Sequence, residues 1–288
     1  MDLRAIGMGL AFALMWSSAF TSARMIVADA PPLAALALRF LFSGIIGVGI
    51  ALALGQSWRL TRAQWRATLI FGLCQNAIYL GLNFIAMQRV EASLASIIAS
   101  SMPLMVAFFG WLLFGERLRP LGLLGLLAGL ENEIVILGAR VAGGGGVAGG
   151  GVVLFLAPAL SAATLTVRGA SSGGNVMMIV GLQMFVGAAL LAVASALFED
   201  FTVHWTPRLL AAFTYTTLVP GVLATWIWFV LVGRIGAVKA ATFHFLNPFF
   251  GVAIAAALLG ERLGWADILG VTIIAGGILA VQMSRQTR

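Results

Sequence analysis

Apolar residues fill ten long stretches of the chain, and short polar or glycine-rich connections separate them. Each stretch is about 20 residues long, which is the number that crosses the hydrocarbon core of a bilayer as a helix. None alternates apolar and polar residues as a barrel strand does, so the backbone hydrogen bonds must be made within helices. The ten predicted transmembrane helices are Ala5–Val27, Leu33–Leu54, Ala67–Met87, Ser93–Phe114, Leu121–Gly138, Val147–Val167, Val176–Leu197, Leu209–Val232, Ala240–Leu259 and Trp265–Met283.

The second half of the sequence repeats the first with a shift of 145 residues. This shift places Gly115-Glu116-Arg117-Leu118 on Gly260-Glu261-Arg262-Leu263. A shared offset indicates an internal duplication, with a first repeat at 1–140, a glycine-rich linker at 141–147 and a second repeat at 148–288. The same shift also superimposes Pro103 on Pro248, Arg89 on Arg234, Phe84 on Phe229 and Gly125 on Gly270.

Five helices per repeat is an odd number, so the two repeats must lie in opposite orientations across the membrane. The predicted fold is an all-α integral membrane protein of ten transmembrane helices in two inverted five-helix repeats, an architecture of secondary transporters. The glycine-rich stretch Gly143–Gly151 is expected to be a plain linker, with a functional hinge as the alternative. Because the N-terminal apolar stretch has a counterpart in the second repeat, we predict a retained helix and not a cleaved leader.

The distribution of Lys and Arg predicts that both termini are cytoplasmic. With the N-terminus inside, eleven basic residues fall on the cytoplasmic side and six on the opposite side. The cytoplasmic set is Arg4, Arg59, Arg62, Arg66, Arg117, Arg119, Arg168, Arg234, Lys239, Arg285 and Arg288, and the opposite set is Arg24, Arg39, Arg89, Arg140, Arg208 and Arg262.

Composition excludes several classes of protein. Hydrophobic residues make up 61% of the chain and charged residues 9%, whereas a soluble domain carries roughly 25% charged residues. The net charge of +7 does not indicate nucleic-acid binding, because the basic residues are scattered singly. Cys74 is the single cysteine, so no disulfide framework is possible. The sequence shows no metal-ligand cluster, phosphate loop or nucleophile with its base, so we expect no metal, no cofactor and no enzymatic activity.

Two five-helix halves, each with a proline in its fourth helix and a Gly-Glu-Arg-Leu turn before its fifth, resemble the EamA-type repeats of the drug/metabolite transporter superfamily. The most specific elements are Ala37-Leu38-Arg39-Phe40, Ser101-Met102-Pro103 and Asn247-Pro248, besides the two Gly-Glu-Arg-Leu turns. Within the superfamily the pattern is similar to the bacterial aromatic amino-acid exporters. The resemblance implies a ten-helix carrier of the bacterial-type inner membrane. Its cavity would be lined by spans 1, 3, 4, 6, 8 and 9, with spans 5 and 10 at the periphery.

Polar and aromatic residues in these spans are candidates for solute binding. Asn76, Tyr79 and Asn83 share one helix face, where they could bind an amino acid's charged groups or form interhelical hydrogen bonds. Trp16 could stack on an aromatic solute, while the small hydroxyl residues beside it could simply allow close helix approach. His244 could couple transport to protons or bond a neighbouring helix as a neutral ring. The predicted cavity residues are Trp16, Ser17, Asn76, Tyr79, Asn83, Ser100, Tyr215, His244 and Asn247.

Prolines and charged residues inside the predicted spans form a second group of candidate functional residues. Pro103 and Pro248 are predicted to kink spans 4 and 9, which would either free backbone carbonyls along a solute path or only shape the packing. Arg39 lies about two turns into the second span, where we predict a structural or gating role near the outer face. Glu116 and Glu261 precede helix starts, where a carboxylate meets the positive end of the helix dipole. Helix capping or a gate contact is the role predicted for both.

Glu131 and Glu133 interrupt the fifth predicted span, where the second repeat has Gly276 and Ile278. Carboxylates inside a membrane are costly and are therefore candidates for function. Because the fifth span should be remote from the cavity, we favour protonated or hydrogen-bonded carboxylates, or a locally irregular helix, over a proton relay.

These features favour export of small, largely apolar zwitterions such as aromatic amino acids by alternating access. Efflux of lipophilic drugs or other metabolites is the nearest alternative, because the same aromatic wall could accept many shapes. A membrane scaffold without a solute is a third reading. The expected partners are a small-molecule substrate and the lipid bilayer, with no nucleic acid, and a monomer is an allowed state.

Overall fold

The structure is a computed structural model, and helices are the only regular secondary structure among the residues that it describes. Five of its helices are long and apolar enough to cross a membrane. The arrangement of ten helices in two repeats therefore stays a prediction at this point. The described residues are 3–100, 104–105, 108, 112, 120–125, 127–129, 131, 174–235, 240, 242–261 and 264–286.

Nine helices organise the described part of the chain, and five of them are the long spans. Helix α6 begins after Asn175 and ends where Glu199 turns into extended backbone, so it is one uninterrupted apolar helix of 23 residues. The five long spans are α1 (Leu3–Val27), α2 (Pro32–Ala53), α3 (Arg62–Ala86), α6 (Val176–Phe198) and α7 (Pro207–Ile235). The other four are α4 (Ala92–Ser100), α5 (Pro120–Gly129), α8 (Asn247–Leu259) and α9 (Trp265–Gln286).

Local sequence explains where several of these helices begin. Pro32 and Pro207 occupy the first turns of α2 and α7, where the missing N–H of proline costs no helical hydrogen bond. Thr61 caps α3 through a capping box with Gln64, each side chain accepting a hydrogen bond from the other residue's backbone N–H. Gly260 ends α8 with a φ of 68°, a left-handed conformation that glycine adopts without steric cost.

Hydrogen bonds between connections define one end of the bundle, which we call the Asp29 end. The backbone N–H of His204 donates to the Asp29 carbonyl at 2.8 Å, and the Thr206 hydroxyl donates to the Asp29 carboxylate at 2.9 Å. The guanidinium of Arg24 donates to the carbonyl of Met87, which follows α3. Helices α1, α3, α6 and α8 therefore run towards the Asp29 end, and α2, α4, α7 and α9 run away from it.

The opposite end, which we call the Gln56 end, joins the end of α2 to the start of α6. The Gln56 side chain accepts a hydrogen bond from the Met178 backbone N–H at 3.0 Å, and the Asn175 side chain accepts one from the Ser57 backbone N–H at 3.1 Å.

Between the two ends, α2 and α6 pack closely through glycines, since a Cβ added at Gly181 would overlap backbone and side-chain atoms of Val48. Close backbone approach through small residues is how membrane helices associate without a hydrophobic driving force.

Two of the long helices change to π-helical geometry near their middle. In α3 the π segment is Gly72–Leu80, between α-helical Arg62–Phe71 and Gly81–Ala86. In α7 the π segment is Thr217–Leu223 and contains Pro220. The two segments begin 145 residues apart, the same shift that superimposes the two halves of the sequence. π-helical turns are rare and occur often at functional sites.

Candidate functional site

Aromatic rings from three parts of the chain meet on one face of α1. The Phe12 ring lies 4.8 Å from the Trp228 ring of α7 and 5.2 Å from the His244 ring, measured between centroids. The Trp228 and His244 rings are 5.1 Å apart, and Trp16 lies 5.7 Å from Phe12. We call Phe12, Trp16, Trp228 and His244 the aromatic cluster. Such tilted and edge-on contacts suit aromatic quadrupoles.

His244 lies in a short 3₁₀ segment, Thr242–Leu246, that leads directly into α8. Its Nδ1 is 2.9 Å from the side-chain Nδ2 of Asn247, and the side-chain Oδ1 of Asn247 is buried with no hydrogen-bond partner among the described residues. Pro248 is buried in the first turn of α8, where the segment changes from 3₁₀ to α-helix. This break places the Asn247 side chain against His244 of the aromatic cluster.

Serine and tyrosine hydroxyls extend the site along α1 and α7. The Ser18 hydroxyl lies 2.8 Å from the Tyr215 hydroxyl, so α1 and α7 share a hydrogen bond. Trp16 and Tyr215 are each more than a third exposed, at 38% and 39%. Ser100 is buried at the end of α4 and donates to the Ser96 carbonyl of its own helix at 2.6 Å. The structure thus connects Trp16 with His244 and Asn247 through Phe12, whereas Tyr215 contacts α1 separately, at Ser18.

The predicted polar residues of α3 divide between two environments. Asn76 donates to the Gln183 carbonyl of α6 at 3.0 Å, so in this conformation its amide serves an interhelical hydrogen bond. Tyr79 is buried in the same π segment. Asn83 is 1% exposed, and neither amide atom has a hydrogen-bond partner among the described residues. Ser17 and Thr21 on α1 are fully buried with unpaired hydroxyls in the same described part.

Arg39 lies at the contact between α2 and the π segment of α7. Its guanidinium stacks 5.6 Å from the centroid of the Phe40 ring, and a Cβ at Gly221 would meet it at 3.9 Å. One turn further along α2, the Ser43 hydroxyl approaches the Thr217 carbonyl at 3.5 Å. Arg39 is 9% exposed, and its Nε has no hydrogen-bond partner in the described part of the chain.

Two carboxylates at the Asp29 end cap helices that are distant in sequence. Glu261 accepts hydrogen bonds from the backbone N–H groups of Ala92 and Ser93 at 2.8 and 2.9 Å, which are the first residues of α4. Glu199 accepts from Leu33 and Ala34 at the start of α2, at 2.7 and 2.9 Å. Each carboxylate therefore meets the positive end of a helix dipole and satisfies two amides that the helix cannot.

Four of the residues singled out in the sequence are not part of the arrangement described above. Pro103, Glu116 and Glu133 lie outside the described residues. Glu131 is among the described residues, and its side chain is exposed on the helix.

Helix α5 contacts α9 at Gly125 and Gly277, where a Cβ added at Gly125 would come within 2.8 Å of the Gly277 carbonyl.

Sequence reasoning left three features out of the predicted site. Phe12 is apolar and 2% exposed, so nothing in the pattern distinguishes it from a packing residue. Trp228, in the eighth predicted span, could add to the cavity wall, but tryptophans near span ends lie more often in the interfacial belt, so it is not among the predicted cavity residues. Glu199 follows an apolar stretch, and its position in the sequence does not distinguish it from an ordinary loop carboxylate. The spacing of Phe12 and Trp16, four residues apart, shows that they share a helix face but not that they form a site.

Comparisons with known proteins point to one family. The family described as the EamA-like transporter family matches residues 3–131 and again 149–283. An uncharacterized transporter of Bacillus subtilis, YvbV, is 29% identical over 269 residues, covering 93% of this chain and 88% of that protein. The aromatic amino acid exporter YddG of Ancylobacter novellus is 32% identical over 135 residues, covering 47% of this chain and 46% of the exporter.

Two further comparisons cover nearly the full length. A probable amino-acid metabolite efflux pump of Escherichia coli is 26% identical over 290 residues, covering 94% of this chain and 92% of the pump. A solved crystal structure that is 26% identical superimposes with a TM-score of 0.68 over 99% of both chains. Since the family matches most of the sequence in two consecutive segments, this apolar helical membrane protein belongs to the EamA-like transporter family.

Proposed function

We propose that this chain is a secondary transporter that exports small, largely apolar zwitterions, such as aromatic amino acids, by alternating access across a bacterial inner membrane. The observation that carries the proposal is the aromatic cluster, which is built by α1, α7 and the 3₁₀ segment before α8 and whose His244 bonds the Asn247 side chain. Its faces and edges suit an aromatic ring, and no fixed charge among its members would repel a zwitterion. The amino-acid exporter and efflux relatives support the same solute class.

The architecture that we propose is ten helices in two inverted repeats, at 1–140 and 148–288, with a linker at 141–147. The two consecutive family matches support the duplication. Helix direction supports the inversion, because α2 and α6 stand at equivalent positions and run in opposite directions, as do α3 and α7. Inverted repeats allow a shared midplane site to open alternately to either side as one repeat rocks against the other.

At the Asp29 end, alternating access requires hydrogen bonds to break. Asp29 with His204 and Thr206, Glu199 with α2, and Glu261 with α4 each join a residue of the first repeat to one of the second. We propose that this end faces outwards, as the distribution of basic residues indicates. Opening it exchanges these bonds for bonds to water.

Transport assays with purified protein in liposomes test the solute class. We expect uptake of labelled tryptophan and phenylalanine above empty liposomes, and little uptake of a lipophilic cationic drug. Trp228→Ala should raise the KM for tryptophan about two- to twelvefold, because an aromatic contact contributes about 0.5–1.5 kcal/mol. Trp205→Ala is the matched control, since Trp205 is 76% exposed in a loop. Drug uptake without amino-acid uptake would replace the proposal with lipophilic efflux, and no flux of either would favour a scaffold.

Cysteine labelling tests the inversion. Arg59 and His204 occupy equivalent positions of the two repeats and both are exposed. In a Cys74→Ser background, His204→Cys should react with a membrane-impermeant maleimide added to intact cells, and Arg59→Cys should react only after permeabilisation. Labelling of both cysteines from the same side would overturn the inverted arrangement.

A further inference from the structure

Three exposed arginines lie close together in the chain at the Gln56 end. Arg59 is in the connection before α3, and Arg62 and Arg66 are on the first two turns of that helix. Because Arg62 and Arg66 are four residues apart, they are neighbours on one helix face, and two like charges at this spacing repel each other. An anion between the two guanidinium groups replaces that repulsion with two attractions.

The described part of the Gln56 end has no carboxylate in its connections that could serve as this anion. The described carboxylates of the connections all lie at the Asp29 end, and they are Asp29, Glu91, Glu199, Asp200 and Glu261. The equivalent helix start in the second half of the chain also lacks these arginines. There the shift of 145 residues places His204, Pro207 and Ala211 on Arg59, Arg62 and Arg66. The arginines are therefore not a general requirement for starting this helix.

The helix face that carries the arginines continues into exposed apolar side chains. At about 100° per residue, four exposed residues lie within about 100° of one another around α3. They are Arg62, Trp65, Arg66 and Leu69. Gln64 and Thr68 lie on the other side of the helix and are buried. One exposed stripe of α3 therefore combines positive charge with apolar surface.

Two exposed tryptophans place this stripe at the boundary between lipid head groups and acyl chains. Trp58 is 64% exposed and Trp65 is 37% exposed, and tryptophan is enriched at that boundary in membrane proteins. The Arg59 guanidinium lies 6.0 Å from the centroid of the Trp58 ring. Leu69 is about 6 Å further along α3 than Trp65, at the depth of acyl chains. The arginines are thus at the depth of lipid phosphates.

We propose that Arg59, Arg62, Arg66, Trp65 and Leu69 form a binding surface for an anionic phospholipid, which we call the arginine face. The guanidinium groups bind the phosphate, for which their planar donors are well suited, and an acyl chain lies along Trp65 and Leu69. A water-soluble anion makes the charged contacts without the apolar ones. A zwitterionic phospholipid makes both, but the arginines repel its ammonium group. This inference does not depend on which solute is transported.

Lipid titrations of the purified protein in detergent test the arginine face. Phosphatidylglycerol should raise the Tm of wild type at lower mole fractions than phosphatidylcholine does, and added salt should weaken that preference. Replacing Arg62 and Arg66 by Gln should lower the apparent affinity for phosphatidylglycerol about fivefold for each arginine. Replacing both by Lys keeps the charge and should retain most of the affinity. Arg208→Gln is the matched control, because Arg208 is exposed in the first turn of α7.

Each of four results would overturn the arginine face. Wild type could respond equally to the two lipids, or the double Gln variant could keep the preference of wild type. Arg208→Gln could lose as much affinity as the double Gln variant, which would assign the effect to net charge. Sodium phosphate alone could raise the Tm as far as phosphatidylglycerol does, which would indicate a site for a free anion. Loss of the preference in the double Gln variant alone, with Lys retaining it, would support the proposal.

Discussion

Gly72 and Thr217, 145 residues apart in the chain, each begin a π-helical segment in the middle of a long apolar helix. Proline does not account for both π segments. Pro220 interrupts only the second segment, and the equivalent residue of the first is Gln75. Each segment instead contacts the other half of the chain. The first bonds α6 through Asn76 and Gln183, and the second meets Ser43 of α2 at the Thr217 carbonyl.

We expect the two π segments to open more readily than the α-helices that they contact. A π turn has poorer packing along its axis than an α turn, so its backbone hydrogen bonds should break locally at lower cost. Hydrogen–deuterium exchange in detergent should show faster exchange in Gly72–Leu80 and Thr217–Leu223 than in the middle of α6. Uniform protection along α3 and α7 would contradict this expectation.

Glu261 and Glu199 should each stabilise the fold through the helix that they cap. Glu261→Gln and Glu199→Gln replace one acceptor oxygen with an NH₂ group that opposes a backbone donor. We expect each to lower the free energy of unfolding by about 1 kcal/mol, which a thermal melt in detergent would detect as a lower Tm. Asp200→Asn is the control, because Asp200 is an exposed carboxylate in the same connection as Glu199. If all three variants had the same Tm as wild type, the capping role would be contradicted.

The close contact between α4 and α8 should depend on Gly251. A methyl group at Gly251 would overlap the side chain of Ser96. Gly251→Ala should therefore destabilise the protein by about 1–3 kcal/mol, as overpacking typically does. Ser96→Gly removes the obstructing atoms, so the double variant should recover most of the lost Tm. Failure of that rescue would show that the overlap is not the source of the damage.

Asn76 should contribute to the contact between α3 and α6. Asn76→Ala removes the hydrogen bond to the Gln183 carbonyl and should cost about 1 kcal/mol of stability, the usual value for interhelical bonds in membranes. Leu73→Ala, on the exposed side of the same π segment, should leave the Tm closer to that of wild type. A Tm for Asn76→Ala equal to or above that of wild type would contradict a stabilising bond.

The long apolar helices could be predicted from the sequence because hydrophobic length alone determines them. The predicted span Ala5–Val27 corresponds to α1 at Leu3–Val27, and Val176–Leu197 to α6 at Val176–Phe198. The π segments could not be predicted in this way, because their cause lies in contacts with a different helix. The 145-residue shift was in the sequence, but it gives no information about backbone geometry within the helices that it relates.

The candidate site was predictable in its polar members and in Trp16, but not in Phe12. Asn76, His244 and Asn247 stand out because a polar residue in an apolar helix is unusual. Phe12 does not stand out, because a phenylalanine in a membrane helix has many ordinary uses. The sequence also could not show that Asn76 bonds α6 while Asn83 has no partner among the described residues, since both share one predicted face. That difference depends on which helix lies opposite each residue.

The caps at the Asp29 end also impose an order on biosynthesis. The amides that begin α2 and α4 emerge from the ribosome more than 160 residues before Glu199 and Glu261, the carboxylates that satisfy them. During that interval the first half of the chain has helix ends that only water or lipid head groups can serve. A chain that stops at the glycine-rich linker would keep those ends permanently, and quality-control proteases would be expected to recognise it as unfinished.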